Sequence, residues 1–197
     1  SKQSFASWRQ GKFDNNSEQT GKKGAVRQEA TVQVDGDEDV VRVQEAERQR
    51  VANLPETTRI KTPEQLESTL SGGKWGILTA NKKGMSLTQN ETQNLKARRW
   101  LDEKGYPSES MEDVVGNYQG DLESSLIVPE LKRWDAAEFA REFDQESVAT
   151  NEGLVFKDGS MAPIKKGSEK IGDDISENYS VMNIKGVPTK FAVEYDF

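Results

Sequence analysis

Four residues in the middle of the chain could share one piece of polar chemistry: Asn90, Asn94, Glu123 and Gln145. A side-chain amide offers a donor and an acceptor together, while a carboxylate only accepts. Set at the end of a sheet, such a group could hold a small polar ligand by paired hydrogen bonds. The same residues could instead satisfy buried backbone groups and fix helices on the sheet, which is the default use of buried amides. Both readings stand at this point.

The rest of the chemical inventory is narrow. The chain has neither histidine nor cysteine. That removes the Ser-His-Asp triad, the thiol nucleophile, disulfides, thiolate metal sites and most zinc sites. No phosphate-binding glycine loop, dinucleotide fingerprint or nucleophile elbow occurs. Carboxylates cluster at Asp35, Asp37, Glu38 and Asp39, at Glu109, Glu112 and Asp113, and at Asp173, Asp174 and Glu177. None follows the ligand order of a calcium loop, so solvated turns are expected rather than a metal site. The expectation is a non-enzymatic protein with no cofactor and no metal.

Composition points the same way. The net charge is −7, and nine basic and nine acidic residues fall in 1–54, so the whole excess lies in 55–197. A general nucleic-acid binder needs clustered Lys and Arg, and an acidic chain does not supply them. Lys82-Lys83-Gly84 and Lys165-Lys166-Gly167 are small basic loops, and Lys96, Arg98, Arg99 and Trp100 are the densest basic-aromatic patch. No apolar run approaches the roughly 20 residues of a membrane helix. Ser1 to Phe5 has no hydrophobic signal region, so synthesis in the cytoplasm is expected.

Residues 1–54 read as a polar arm and 55–197 as the folded domain. In the arm, 29–34 alternates as a strand does, and Val40, Val41 and Val43 could return as its partner, with Gln44 to Val51 favouring a short helix. From Pro55 the signals sharpen. Thr62-Pro63-Glu64-Gln65 opens a helix that stops at Gly72-Gly73. Trp75 to Ala80 is a buried strand. Thr88 and Glu91 form a capping box for a helix that runs to Lys104. Val114 to Tyr118 and Glu123 to Val128 form a hairpin. Ala136, Phe139, Ala140 and Phe143 carry the apolar stripe of another helix. Ser147 to Ala149 and Gly153 to Phe156 are strands, 160–176 a glycine- and lysine-rich loop, and Tyr179 to Ile184 a strand. Phe191, Val193, Tyr195 and Phe197 alternate with period two. Helices and strands mix without βαβ repetition, so the expected class is α+β: a mixed or antiparallel sheet packed by two or three helices, with an extended N-terminal arm.

Two resemblances follow from these residues. Gly76-Ile77-Leu78-Thr79-Ala80-Asn81, then Leu87-Thr88 with Asn90 and Asn94, Glu123-Ser124-Ser125 to Val128, and Phe143-Asp144-Gln145 to Val148 resemble an uncharacterised bacterial domain family over residues 75–150. The chain departs from that family at Asp144, usually glycine, and lacks the aromatic-Asn-Pro that commonly follows Thr-Ala. The resemblance implies a fold and no activity. The whole chain resembles small proteins of tailed phages, especially those of marine cyanobacteria, on the Ser1 to Val26 arm and the Glu146 to Phe156 stretch. That implies a virion-associated protein. On this reading Phe5, Trp8 and Phe13 are partner-binding anchors for a neighbouring subunit of a capsid, neck or tail, because aromatics carry large burial energies. Host cytoplasm and virion are the expected locations. The alternatives are a ligand-binding or enzymatic domain using Glu123, Gln145 and Asn90, and an acidic inhibitor of a nucleic-acid-binding host protein.

Overall fold

Residues 36–118 and 121–196 are described by the computed structural model. Phe5, Trp8, Phe13 and the strand expected over 29–34 lie outside the described residues. The fold is α+β, with four α-helices and a nine-stranded sheet among the described residues.

Helix α1 spans Gly36–Ala52. It overturns the strand expected over Val40 to Val43. Three valines are too few to hold a strand against the run from Gln44 to Arg50, which is rich in strong helix formers. Cooperative propagation then takes them into one helix. Glu47, Arg50 and Val51 share a face at helical spacing and bind α1 to the sheet. Val51 is buried. The Arg50 guanidinium donates to the Leu122 carbonyl at 2.7 Å, and the Glu47 carboxylate accepts from Asn117 Nδ2 and the Tyr179 hydroxyl, both at 2.7 Å.

Helix α2 (Pro63–Gly72) has the expected Thr62 cap, which accepts from the Gln65 amide at 3.2 Å, with proline in its first turn. Helix α3 (Leu87–Glu103) starts from Ser86, not Thr88. The Gln89 amide donates to Ser86 Oγ at 3.3 Å and the Ser86 amide donates to Gln89 Oε1 at 2.9 Å. Both boxes fit the same spacing rule, and the earlier one satisfies the orphan donors first. Helix α4 (Arg133–Glu142) buries Ala136, Phe139 and Ala140 as its stripe predicts.

The strands are β1 (Trp75–Leu78), β2 (Glu112–Tyr118), β3 (Asp121–Pro129), β4 (Ser147–Thr150), β5 (Gly153–Phe156), β6 (Met161–Pro163), β7 (Lys170–Ile171), β8 (Tyr179–Ile184) and β9 (Val187–Ala192). Their order is β6-β5-β4-β1-β3-β2-β8-β9-β7, and every ladder is antiparallel. The stretch expected as a loop over 160–176 therefore supplies β6 and β7, short strands that glycine and lysine hide from a pattern search. The last strand ends at Ala192 rather than continuing through the alternating run. Beyond it Tyr195 bridges to Ile164; the Lys165 amide donates to the Glu194 carbonyl and the Asp196 amide to the Pro163 carbonyl, each at 2.9 Å. These bonds join the two ends of the sheet, so it curls into a closed form that shields its edges.

Closure gives the sheet an outside and an inside. Outside, α3 and α4 cover Leu78, Leu126, Val128, Val148 and Val155, with Leu101 and Phe139 at the centre. The Trp100 ring meets Phe139 edge-on at 5.7 Å. Also outside, α1 covers Val115 and Val181 through Val51. Inside lie Trp75, Ile77, Val114, Ile127, Met182 and Phe191, closed at one end by Leu66 and Leu70 of α2. Trp75 Nε1 donates to the Leu70 carbonyl at 3.1 Å and fastens that plug. Among the described residues no helix is long and apolar enough to cross a membrane.

Candidate functional site

The inward rows of three strands change character along their length. On β1 the row runs Trp75, Ile77, then Thr79 just beyond the strand. On β3 it runs Ile127, Ser125, Glu123. On β8 it runs Ile184, Met182, Ser180. Each begins apolar at the end plugged by α2 and turns polar at the other. Strand side chains alternate between faces, so these are the residues that must look into the curl. On β2 the row runs Val114, Gly116, Tyr118. Gly116 faces Glu123, and a Cβ on it would stand 2.6 Å from Tyr118 Cε2, so the missing side chain leaves room for the tyrosine ring across the strand.

The polar end is an open cleft of about 630 Å³, within the usual range for small-molecule sites. Its floor is Ile77, Leu154, Phe191 and Val193, and its polar wall is Thr79, Tyr118, Glu123, Ser125, Ser180 and Tyr195. The Tyr195 hydroxyl is buried in that wall and has no hydrogen-bond partner among the described residues. Burial drives its pKa well above the usual value for tyrosine, and the neighbouring Tyr118 adds to the shift. At the rim, Glu194 holds Lys170 at 2.8 Å and Lys165 at 3.0 Å. Those two ammonium groups bring its carboxyl down to about 2.

The four residues singled out by the sequence divide between two places. Asn90, Asn94 and Gln145 meet on the outside of the sheet, around the segment that leaves β1. Asn90 Oδ1 accepts from the Lys82 amide at 2.9 Å, Asn94 Nδ2 donates to Asn81 Oδ1 at 2.9 Å, and Gln145 Nε2 donates to the Asn81 carbonyl at 3.0 Å. Thr79 completes the junction: its Oγ1 accepts from the Asn81 amide at 3.1 Å and donates to the Ser124 carbonyl at 3.0 Å. Asp144, beside Gln145, has φ 51°, in the left-handed region that favours glycine. Glu123 points to the inside face and lines the cleft.

Several of the other sequence candidates are occupied. The Glu112 carboxylate accepts from the Thr58 amide at 2.9 Å and the Arg59 amide at 2.6 Å. Asp113 pairs with Arg98, and Trp100 packs into the outer core, so the basic-aromatic patch is taken apart by its own neighbours. Lys82 pairs with Asp144 at 3.5 Å and Lys83 with Asp121 at 3.1 Å. Among the described residues no group of three or more His, Cys, Asp or Glu side chains is placed to hold a metal ion. Sequence reasoning passed over Tyr118, Ser125, Ser180 and Tyr195. The available signal was the run of inward positions whose polarity rises towards one end of each strand.

No protein-family model matches the chain, and no curated protein matches its sequence.

Proposed function

We propose that the domain binds a small organic molecule in the cleft at the open end of the curled sheet. One observation carries the reading: the Tyr195 hydroxyl lies buried and unpartnered in the wall of a cleft that is apolar at its floor and polar at its rim. A buried hydroxyl without a partner costs about 1–3 kcal/mol, and a bound polar group that shifts the side chains covering it would recover that loss. The mouth of a curled sheet is a common place for such sites. Glu123 is the residue of the original four that takes part.

The test is a fragment screen by NMR on the 15N-labelled full chain. Hits should move the amide signals of Thr79, Tyr118, Ser125 and Ser180 together, and Val193→Phe, which fills the floor, should abolish the shifts at an unchanged Tm. Hits that move only signals on the outer helices would sink the reading.

A second reading is an interaction component of a phage particle, gripping a neighbour through Phe5, Trp8 and Phe13. It is favoured by Trp134, which is 71% exposed on α4, as aromatic anchors are enriched at interfaces. Deleting residues 1–25 should abolish incorporation into particles, read by mass spectrometry of purified virions; normal incorporation of the truncated chain counts against it.

A further inference from the structure

We infer that the chain regulates this cleft itself: residues 1–25 dock in the mouth with Trp8 on the apolar floor, and a small molecule enters by displacing them. The inference rests on the cleft reading above and adds an intramolecular competitor to it. Helix α1 carries the argument, because its course along the sheet is fixed at three levels. Just after the helix, the Leu54 carbonyl accepts from Asn183 Nδ2 at 2.9 Å, beside Ile184 at the end plugged by α2. Val51 then packs on Val115 and Val181. Glu47 accepts from Asn117 Nδ2 and the Tyr179 hydroxyl at 2.7 Å, and Tyr179 lines the cleft. Followed towards its N-terminus, α1 therefore climbs β8 from the plugged end to the open one. Gly36 lies eleven residues before Glu47, about 16 Å farther along at 1.5 Å per residue. The helix thus delivers residues 1–35 at the open mouth.

That segment carries side chains the cleft can use. The large apolar residues of 1–25 are Phe5, Trp8 and Phe13, too few to build a core among themselves. The floor of Ile77, Leu154, Phe191 and Val193 is an apolar surface under an open mouth, and one aromatic ring buries about 150–250 Å² on such a surface. Trp8 suits floor and wall together. Its ring meets the floor, and its indole N–H is a donor with no acceptor of its own. The Tyr195 hydroxyl oxygen accepts that proton once the entering ring shifts the side chains covering it. The 27 residues between Trp8 and Gly36 reach up to about 3.3 Å each, so length does not limit the return. Tethering holds the segment at an effective concentration of about a millimolar, which favours it over a free partner that is more dilute.

The full chain supplies the test. It has no cysteine, so Ser4→Cys accepts a nitroxide at one place. In the 15N-labelled chain the nitroxide should broaden the amide signals of Thr79, Ser125 and Ser180, and adding Trp8→Ala should restore them. Indole, the ring of Trp8 alone, is the probe of the vacated floor. It should bind Trp8→Ala about tenfold tighter than the unsubstituted chain, as a cleft occupied about nine-tenths of the time requires. Val193→Phe should lose both the broadening and indole binding. A silent nitroxide, or equal indole affinity in the two chains, overturns the inference, while indole shifts at Thr79, Ser125 and Ser180 still uphold the cleft as a site. Broadening that appears only when 15N-labelled chain without nitroxide is mixed with nitroxide-bearing chain assigns the segment to a neighbouring copy and also overturns it. If the nitroxide is silent and neither indole nor the fragment screen moves those signals, the inference and the reading beneath it fall together.

Discussion

Two polar regions lie on opposite faces of the same pair of strands, and they end differently. On the outside of β1 and β3, Asn90, Asn94 and Gln145 spend their amides on the backbone and side chain of Asn81 and Lys82. On the inside, Glu123 and Tyr195 line the cleft, and the buried Tyr195 hydroxyl has no partner among the described residues. The outer region is a joint that fixes a loop between two helices. The inner one holds a buried hydroxyl, that of Tyr195, for which the described residues supply no partner. A polar cluster becomes a candidate site when its hydrogen-bonding capacity exceeds the internal demand, whatever residue types compose it.

The comparison breaks most visibly at Gln145. Replacing it with alanine strips donors from the Asn81 and Phe143 carbonyls. Leaving such buried groups unpaired costs about 1–3 kcal/mol, a drop of several degrees in Tm by thermal denaturation, with probe binding in the cleft unchanged once the protein is folded. A Gln145→Ala chain of unaltered Tm that has lost cleft binding would exchange the roles of the two regions.

Tyr195→Phe tests the inner region in the opposite direction. Removing an orphaned buried hydroxyl without changing the ring should raise stability by about 1 kcal/mol while weakening ligands that use the oxygen. A loss of stability by chemical denaturation would mean that the hydroxyl already has a partner.

Alkaline titration sharpens the same contrast between tyrosines. Tyr106 donates to Asp135 at 2.6 Å and Tyr179 to Glu47 at 2.7 Å. Burial first, then these acceptors, raise both hydroxyls to about 12. Tyr195 is raised by burial, with Tyr118 adding to it and no acceptor involved. A folded-state pKa above the unfolded value of 10.0 keeps its stabilisation below pH 10 and loses it as pH climbs towards 12. Stability measured by denaturant should therefore fall across that window, and Tyr106→Phe with Tyr179→Phe should flatten the fall. A stability that holds level from pH 10 to pH 12 in the unsubstituted chain would contradict both shifts.

The sequence made the fold class, three of the four helices and most strands legible, because caps, glycine stops and apolar stripes are local signals. It misplaced Val40 to Val43, where a cooperative helix outweighed a three-residue alternation. It missed β6 and β7, strands of three and two residues that are too short to show alternation, although β6 pairs with the neighbouring β5 and only β7 finds its partner, β9, farther along. The site was half visible. Glu123 stood out as a carboxylate beside serines at the start of a strand, and its grouping with Asn90, Asn94 and Gln145 followed from sequence order alone. Which face each residue takes depends on register, and closure of the sheet through Ile164 and Tyr195 is a long-range event. Tyr195 looked like one more member of an alternating strand, and only closure gives its hydroxyl a buried wall to sit in.

The smallest expected effect concerns that closure. Glu194 bonds Lys170 and Lys165, one from β7 and one from the segment after β6, beside the backbone bonds that join the sheet ends. Its carboxyl is depressed to about 2 from an ordinary 4.5. A depressed carboxyl stabilises the fold above its unfolded value and loses that contribution as pH falls through the folded one. The window is therefore pH 4.5 down to about 2, with folded protein most favoured at its upper end. The cluster is solvent-exposed, so salt screens it and the size of the effect stays small. Glu194→Gln should lower stability slightly near pH 7, leave it unchanged near pH 2 and so make the acid limb less steep, most clearly at low ionic strength. An acid limb that keeps its slope in the variant would show that the cluster contributes nothing to holding the curl shut, leaving closure to the main-chain bonds alone.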